Sequence, residues 1–136
     1  MGSMSQQSQF LAFAPVEAGF PAPSSDGVST PLDLNELMIK HPAATFFVRI
    51  AGESMVGAGI LPGDIAVVDR AIEATSGRII IASLNGEFTL KRLIKKKNTL
   101  LLQAENPRFP EIVITPETDF QVWGVVTYVI HHVCPC

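Results

Sequence analysis

The chain has 136 residues, of which 47% are hydrophobic and 17% charged, so it is long enough to form one folded domain and is not composed like a disordered segment. Its net charge of −3 argues against a basic face for direct binding to nucleic acid. The longest apolar-rich segment, residues 120–130, is too short to cross a bilayer as a helix. With no signal-peptide pattern at its start, the chain is expected to be cytoplasmic, without a membrane partner.

Residues 1–31 differ in composition from the rest of the chain. The segment carries Pro15, Pro21, Pro23 and Pro31. Proline fixes φ and lacks an N–H donor, so these residues exclude a long helix or a central strand. We therefore predict a mobile N-terminal arm over residues 1–31, followed by a folded domain over residues 32–136.

The stretch "LDLNELMIKHP" predicts a short helix at the start of that domain. Asp33 is a candidate N-cap, and Glu36 lies three residues later, as in a capping box. Pro42 is expected to stop the helix.

From residue 45 onward the pattern is that of strands. Short apolar and β-branched runs alternate with turn residues, and Asn85-Gly86 is the strongest hairpin signal in the chain. The predicted strands cover residues 45–50, 63–70, 77–84, 87–94, 99–105, 111–115 and 120–131. We predict a mainly β fold of curved, barrel-like antiparallel sheets with one or two short helices.

Ser54 lies in "AGESMVGAGI", which interrupts the strand pattern as a turn with one helical turn. A serine hydroxyl is a weak nucleophile unless a base accepts its proton. The histidines are His41, His131 and His132, and none falls in a pattern that indicates a Ser-His-Asp triad. At this point Ser54 is either a polar loop residue or a nucleophile whose base lies elsewhere.

Lys91 is the lysine that falls inside a predicted strand, on the same side as Thr89 and Leu93. Arg92 points the other way and cannot act as a base. A free lysine has a pKa of about 10.4, and burial can lower it by about 3–5 units, so a strand lysine facing a core could serve as the base. The alternative is an ordinary edge-strand lysine that guards against aggregation.

Two further clusters have simpler interpretations. The run Lys95–Lys97 is typical of a solvated hairpin tip, and a nucleic-acid contact is the less favoured alternative. The tail "HHVCPC" holds four possible metal ligands, but a frayed terminus is the favoured interpretation because structural zinc sites use wider spacings. We expect no metal and no cofactor.

Four segments, in order, resemble the LexA- and UmuD-type self-cleaving serine peptidases of the S24 family. They are "AGFPAPSSD", "LDLNELMIKHPAATFFVRIAGESM", "GDIAVVD" and "GEFTLKRL", and the likeness runs from about residue 16 to residue 133. It implies the fold of the LexA carboxyl-terminal domain, which is related to that of signal peptidase.

The resemblance also implies roles for individual residues. Ser54 of the "SM" motif would be the nucleophile and Lys91 of "GEFTLK" the general base. The bond to be cut would be Ala18-Gly19 in the arm. Val16 and Met55 would contact the substrate.

The function implied by the resemblance is a switch. The chain would cut its own arm when stimulated by a RecA filament on single-stranded DNA. The cleaved homodimer would then act with a UmuC-like Y-family polymerase in translesion synthesis, as part of the SOS response to DNA damage. No sequence-specific nucleic-acid binding by the chain itself is expected.

Three alternatives remain beside this hypothesis. A LexA-like repressor needs a helix-turn-helix domain, which about thirty Pro-rich residues cannot supply. A signal-peptidase-like enzyme acting on other proteins needs a membrane anchor or an apolar docking surface. A non-enzymatic dimeric interaction module would leave Ser54 and Lys91 with structural roles only.

Overall fold

The computed structural model describes residues 9–12 and 29–134. The chain divides into two compact units, Met1–Ile39 and Lys40–Cys136. Within the described ranges, no helix combines the length and the apolar character that a membrane crossing requires.

The first unit contains a pair of short strands that the sequence did not predict. Strand β1 (Gln9–Ala12) runs antiparallel to β2 (Ser29–Leu32), with Pro31 opposite Phe10. Each strand of a two-stranded ribbon has an outward edge, and a proline is tolerated there because its missing N–H is not needed for pairing.

Helix α1 (Leu34–Met38) follows β2, and its predicted N-cap is confirmed. The carboxylate of Asp33 accepts a hydrogen bond of 2.9 Å from the main-chain N–H of Asn35. The helix ends at Met38, four residues before Pro42, which agrees with the predicted stop. Pro42 instead begins a 3₁₀ turn, Pro42–Ala44.

The second unit is built on one antiparallel sheet of seven strands, in the order β3-β4-β9-β5-β6-β7-β8. The strands are β3 (Thr45–Arg49), β4 (Ile65–Asp69), β5 (Ile79–Leu84), β6 (Glu87–Lys96), β7 (Thr99–Gln103), β8 (Ile112–Ile114) and β9 (Phe120–Ile130). Each falls within or close to a predicted range, so the prediction of a mainly β fold is confirmed. The sheet stays open, with β3 and β8 as its two edges.

Two hairpins agree with their sequence signals. Asn85 and Gly86 both have positive φ, of 50° and 87°, and connect β5 to β6. The β6–β7 hairpin turns beyond the pair Lys96 and Thr99, and Lys95–Lys97 are exposed at its tip, as expected of a solvated turn.

The sheet carries a hydrophobic cluster on each face. The first cluster includes Ile50, Met55, Ile60, Ala66, Val68 and Ile81. The second includes Ile80, Ala82, Leu93, Leu102 and Val125. Neighbouring residues of β5 and β6 alternate between these clusters, because successive side chains of a strand point to opposite faces of the sheet.

Candidate active site

A loop between β3 and β4, residues 51–63, carries Ser54 and is called the serine loop below. Its ends are joined, since the N–H of Ile50 donates to the carbonyl of Asp64 and the N–H of Gly63 donates to the carbonyl of Ile50, each at 2.8 Å. The two ends of the serine loop are therefore held side by side at the sheet, as in a compact surface loop.

The predicted helical turn in this loop is the 3₁₀ turn Val56–Ala58. Met55, directly after Ser54, is 1% exposed and packs in the first hydrophobic cluster. The turn ends at Gly59, which has a φ of 82°. Glycine adopts this left-handed conformation with little strain. Ser54 is thus half-buried beside a side chain that anchors its backbone in the core.

The hydroxyl of Ser54 reaches strand β6. Its Oγ donates a hydrogen bond of 3.1 Å to the carbonyl of Leu90. Among the described residues, the main-chain N–H groups of Ser54 and Met55 donate no hydrogen bond. Two unengaged donors beside a serine hydroxyl are suited to stabilise a negatively charged oxygen.

Lys91 lies in the middle of the sheet. Strand β6 lies between β5 and β7 in the sheet, although its pairing with β7 begins only at Arg92. Because Lys91 is buried, the interpretation of an exposed edge-strand lysine is wrong. Its register partner is Ile80, and Leu93 follows on the same face, which is the face of the second cluster. The residue is 7% exposed.

Burial lowers the pKa of Lys91 below its usual value near 10.5, because the charged form loses hydration. Its Nζ donates a hydrogen bond of 2.8 Å to Oγ1 of Thr89, two residues earlier on the same face. The Nζ also lies 5.8 Å from the ring centre of Phe109. No ion pair involves this lysine among the described residues.

The fold therefore brings the hydroxyl of Ser54 to the main chain of Leu90, the residue before Lys91 on β6, although Ser54 and Lys91 are 37 residues apart in sequence. Their side chains make no hydrogen bond to each other in the described structure. Ser54 is held by the Leu90 carbonyl and Lys91 by Thr89.

A cleft of about 390 Å³ begins at the same point of β6. Its walls are largely apolar and include Val48, Ile81, Phe88, Leu90 and Trp123. Leu90 is a wall of the cleft, and its carbonyl accepts the hydrogen bond from Ser54, so the serine hydroxyl lies at the border of the cleft.

Two histidine–aspartate pairs were not predicted from the sequence. Nδ1 of His41 binds Asp69 at 2.6 Å, and Nδ1 of His131 binds Asp64. The residues of each pair are 28 and 67 positions apart, so no local pattern could reveal them. Neither histidine is hydrogen-bonded to Ser54, and in the described part of the chain no three potential ligands are grouped for a metal ion.

The two buried carboxylates are held ionised. The N–H of Leu61 and the His131 side chain keep the pKa of Asp64 below its usual range. For Asp69, burial raises the pKa, but hydrogen bonds from His41 and from main-chain N–H groups more than offset this, and the pKa is lowered. The pairs bracket β4 at its two ends and stabilise the strand that closes the serine loop.

The other predicted site residues have different outcomes. Val16, Ala18 and Gly19 lie outside the described residues. The side chain of Met55 is in the core, so a contact between Met55 and a substrate would be made by its backbone.

Comparison with known proteins places these features among relatives. Residues 11–127 match the family described as Peptidase S24-like. The chain is 47% identical to protein ImpA of Salmonella typhimurium over 116 residues, which are 85% of this chain and 78% of ImpA. It is 48% identical to protein SamA of Salmonella typhimurium over 114 residues, 84% of this chain and 79% of SamA. It is 39% identical to protein MucA of Escherichia coli over 122 residues, 88% of this chain and 83% of MucA.

Proposed function

This chain belongs to the Peptidase S24-like family, and on that basis we propose that it is a serine peptidase that cuts its own arm between Ala18 and Gly19. Ser54 is the nucleophile and Lys91 the general base. The observation that carries the proposal is a buried lysine on a central strand, next in sequence to the carbonyl that binds the serine hydroxyl.

The chemistry follows from the lowered pKa of Lys91. A neutral Nζ takes the proton of Ser54 Oγ as the oxygen attacks the carbonyl carbon of Ala18. The N–H groups of Ser54 and Met55 then stabilise the oxyanion. When the bond to Gly19 breaks, the lysine returns the proton to the leaving amine, and water hydrolyses the resulting ester.

The contacts of the two side chains support a conditional reaction. Before attack, the Ser54 hydroxyl has to leave the Leu90 carbonyl, and Lys91 has to lose its proton. A peptide docked over the site would exclude water from Lys91 and lower its pKa further. Cleavage therefore depends on how often the arm is docked, and a factor that stabilises docking would accelerate it.

The apolar cleft supports the choice of substrate. The arm carries Val16 and Phe20 on either side of the small residues Ala18 and Gly19. Apolar side chains flanking the bond match the apolar walls of the cleft, and small residues at the bond let the serine approach the backbone. The arm over residues 1–31 is thus the proposed substrate of the domain over residues 32–136.

The biological role belongs to the same proposal. A RecA filament on single-stranded DNA is the proposed stimulus for docking. The cleaved homodimer then joins a UmuC-like Y-family polymerase, for SOS mutagenesis by translesion synthesis. The chain needs no cofactor for its own cleavage, because a serine and a neutral lysine supply all the proton transfers.

The first experiment follows self-cleavage of the purified chain by mass spectrometry from pH 7 to pH 10. The rate should rise with pH and level off above the pKa of Lys91, which burial places below about 10.5. Ser54→Ala and Lys91→Ala should each abolish the cut after Ala18. The exposed Ser76→Ala and Lys97→Ala should cut like the wild type.

A flat rate over this pH range would rule out a lysine base. A chain that cleaves elsewhere would rule out Ala18-Gly19 as the bond. Persistence of the cut in Ser54→Ala would remove the nucleophile from its role.

The second experiment tests the role in the cell. A Y-family polymerase should be captured by the chain starting at Gly19, and more weakly by the Ser54→Ala full-length chain. Addition of RecA, single-stranded DNA and ATP should raise the cleavage rate. Equal capture by both forms would contradict the proposed switch.

A further inference from the structure

The loop between β7 and β8, residues 104–111, contacts both sides of the proposed site and has no role in the mechanism above. It is exposed over much of its length. The sequence predicted residues 106–110 as a connection and placed residues 104, 105 and 111 in the flanking strands, which are shorter in the structure. Three of its residues, Glu105, Asn106 and Phe109, make the contacts that matter here.

The backbone of Glu105 is joined to the serine loop on both sides of the nucleophile. Its N–H donates to the carbonyl of Ser54 at 2.8 Å, and its carbonyl accepts from the N–H of Gly57 at 2.7 Å. Asn106 adds a bond of 2.8 Å from its Nδ2 to the carbonyl of Glu53. A Cβ at Gly57 would lie 2.5 Å from the Glu105 carbonyl oxygen, so this approach requires glycine.

The side chain of Glu105 is joined to the strand that carries the lysine. Oε1 of Glu105 accepts a hydrogen bond of 2.7 Å from Nε of Arg92, the residue after Lys91. Nη1 of Arg92 also donates to the carbonyl of Gly77 at 2.7 Å, which fixes the guanidinium. The side chains of the pair are about 30% exposed, so the pair is partly protected from solvent.

Phe109 lies on the other side of the strand, against the lysine. Its ring centre is 5.8 Å from Nζ of Lys91, near the outer limit of a cation–π contact. At that distance the attraction of the ring for a charged amine is weak. The ring, itself 41% exposed, occupies one side of Nζ.

We propose that the β7–β8 loop is a positioning element of the catalytic pair, in which Glu105 fixes the serine loop to β6 and Phe109 shields Lys91 from water. The proposal rests on the proposed function, in which Ser54 and Lys91 are the catalytic pair. Glu105, Arg92 and Phe109 act through that pair and touch no substrate.

Charged groups around Lys91 are already matched with one another. Glu105 pairs with Arg92, and Glu53 lies 3.9 Å from Arg108. Glu111, at the end of the loop, accepts from Gln103 on β7. Strands β5 and β7 carry no titratable side chain within their bounds. Exclusion of water is therefore the effect that a change at Phe109 alters.

The first test measures the pKa of Lys91 without relying on cleavage. In the full-length Ser54→Ala chain, the Nζ of Lys91 is titrated by nuclear magnetic resonance and assigned with Lys91→Met. Phe109→Ala should raise the pKa by at least one unit, because water reaches the amine. Phe109→Leu, which keeps an apolar cover without a ring, should stay within a few tenths of a unit.

An unchanged or lower pKa of Lys91 in Phe109→Ala would overturn the proposal that Phe109 shields Lys91 from water. So would an equal rise in Phe109→Leu. Because this chain cannot cut itself, either result stands whether or not the proposed function is correct.

The second test measures the self-cleavage rate at several pH values in Glu105→Ala, with thermal unfolding recorded in parallel. The rate should fall by about 10- to 100-fold, since misplacement of a nucleophile by about 1 Å can have an effect of that size. The pH midpoint should not move, because Lys91 keeps its cover. Glu105→Gln retains the acceptor for Arg92 and should recover most of the rate, and Glu111→Gln is the matched control at the far end of the loop.

A Glu105→Ala chain that stays folded and cuts at the wild-type rate would overturn the proposal that Glu105 fixes the serine loop to β6, which is called the clamp below. Equal losses in Glu105→Ala and Glu111→Gln would overturn it too, since the effect would then not be specific to Glu105. A wild-type chain that does not cut would overturn the proposed function and the clamp together, while the titration still decides the role of Phe109.

Discussion

The serine loop and strand β6 place Ser54 and Lys91 in opposite environments. Ser54 stands on a loop whose neighbour Met55 is buried, so its backbone is anchored while its hydroxyl stays reachable. Lys91 stands on a strand and shares a face with the buried Leu93, so its side chain is turned into the protein. A nucleophile has to meet a backbone, whereas a lysine base has to lose water.

The two regions also depend on different cores. Met55 packs in the cluster on one face of the sheet, and Leu93, two residues after Lys91, packs in the cluster on the other face. The sheet separates the anchor of the nucleophile from the surroundings of the base. Each core should therefore control one half of the site.

The largest effect is expected from truncation of either anchor. Met55→Ala and Leu93→Ala each remove a side chain that is 1% exposed, and each should lower the free energy of unfolding by about 2–5 kcal/mol. Urea unfolding at pH 7 gives this loss. Hydrogen exchange should show faster opening of residues 51–63 in Met55→Ala only.

Equal exchange of the serine loop in both variants would break the comparison, because the two cores would then not act separately. Lys96→Ala, at the exposed hairpin tip, is the control and should change stability by less than about 0.5 kcal/mol.

A smaller effect is expected from removal of the buried charge. The folded pKa of Lys91 lies below its unfolded value, so the folded state binds fewer protons between the two values and stability rises with pH there. Below the folded pKa the destabilisation is fully present. Lys91→Met should therefore raise the midpoint of thermal unfolding at pH 7, and the gain over the wild type should shrink toward pH 10.

The same change at an exposed position provides the contrast. Lys95→Met should leave the thermal midpoint and its pH dependence nearly unchanged. If the stability of the wild type did not rise between pH 7 and pH 10, the lowered pKa of a buried Lys91 would be contradicted.

The smallest effect is expected at the base of the serine loop, where the carboxylate of Asp64 accepts hydrogen bonds from the N–H of Leu61 and from His131. Its folded pKa is held below the ordinary value of 3.8, so its contribution is present above that value and is lost as pH falls through the folded pKa. Asp64→Asn should weaken the chain at pH 7 and flatten the loss of stability below about pH 4.

Acid titrations followed by circular dichroism would measure this effect, with Asp119→Asn as an exposed control. An unchanged acid limb in Asp64→Asn would show that the bonds of this carboxylate to Leu61 and His131 do not contribute to stability.

Local patterns predicted most of the fold. The seven strands of the sheet, the Asn85-Gly86 hairpin and the Asp33 cap all depend on residues close in sequence, and their periodicity and turn chemistry are visible there. The strand pair β1–β2 was missed because nothing in residues 9–12 alternates clearly enough to indicate a strand. The proposed pair Ser54 and Lys91 came from motif resemblance and strand parity together.

What the sequence determined by itself was which residues alternate, where the chain turns, and that Lys91 shares a face with Leu93. What only the tertiary structure decided was that β6 is central, that Asp64 and Asp69 each hold a histidine, and that Glu105 joins the serine loop to Arg92. These contacts join residues 13 to 67 positions apart. Contacts of that kind depend on strand order and loop closure, which local sequence patterns do not encode.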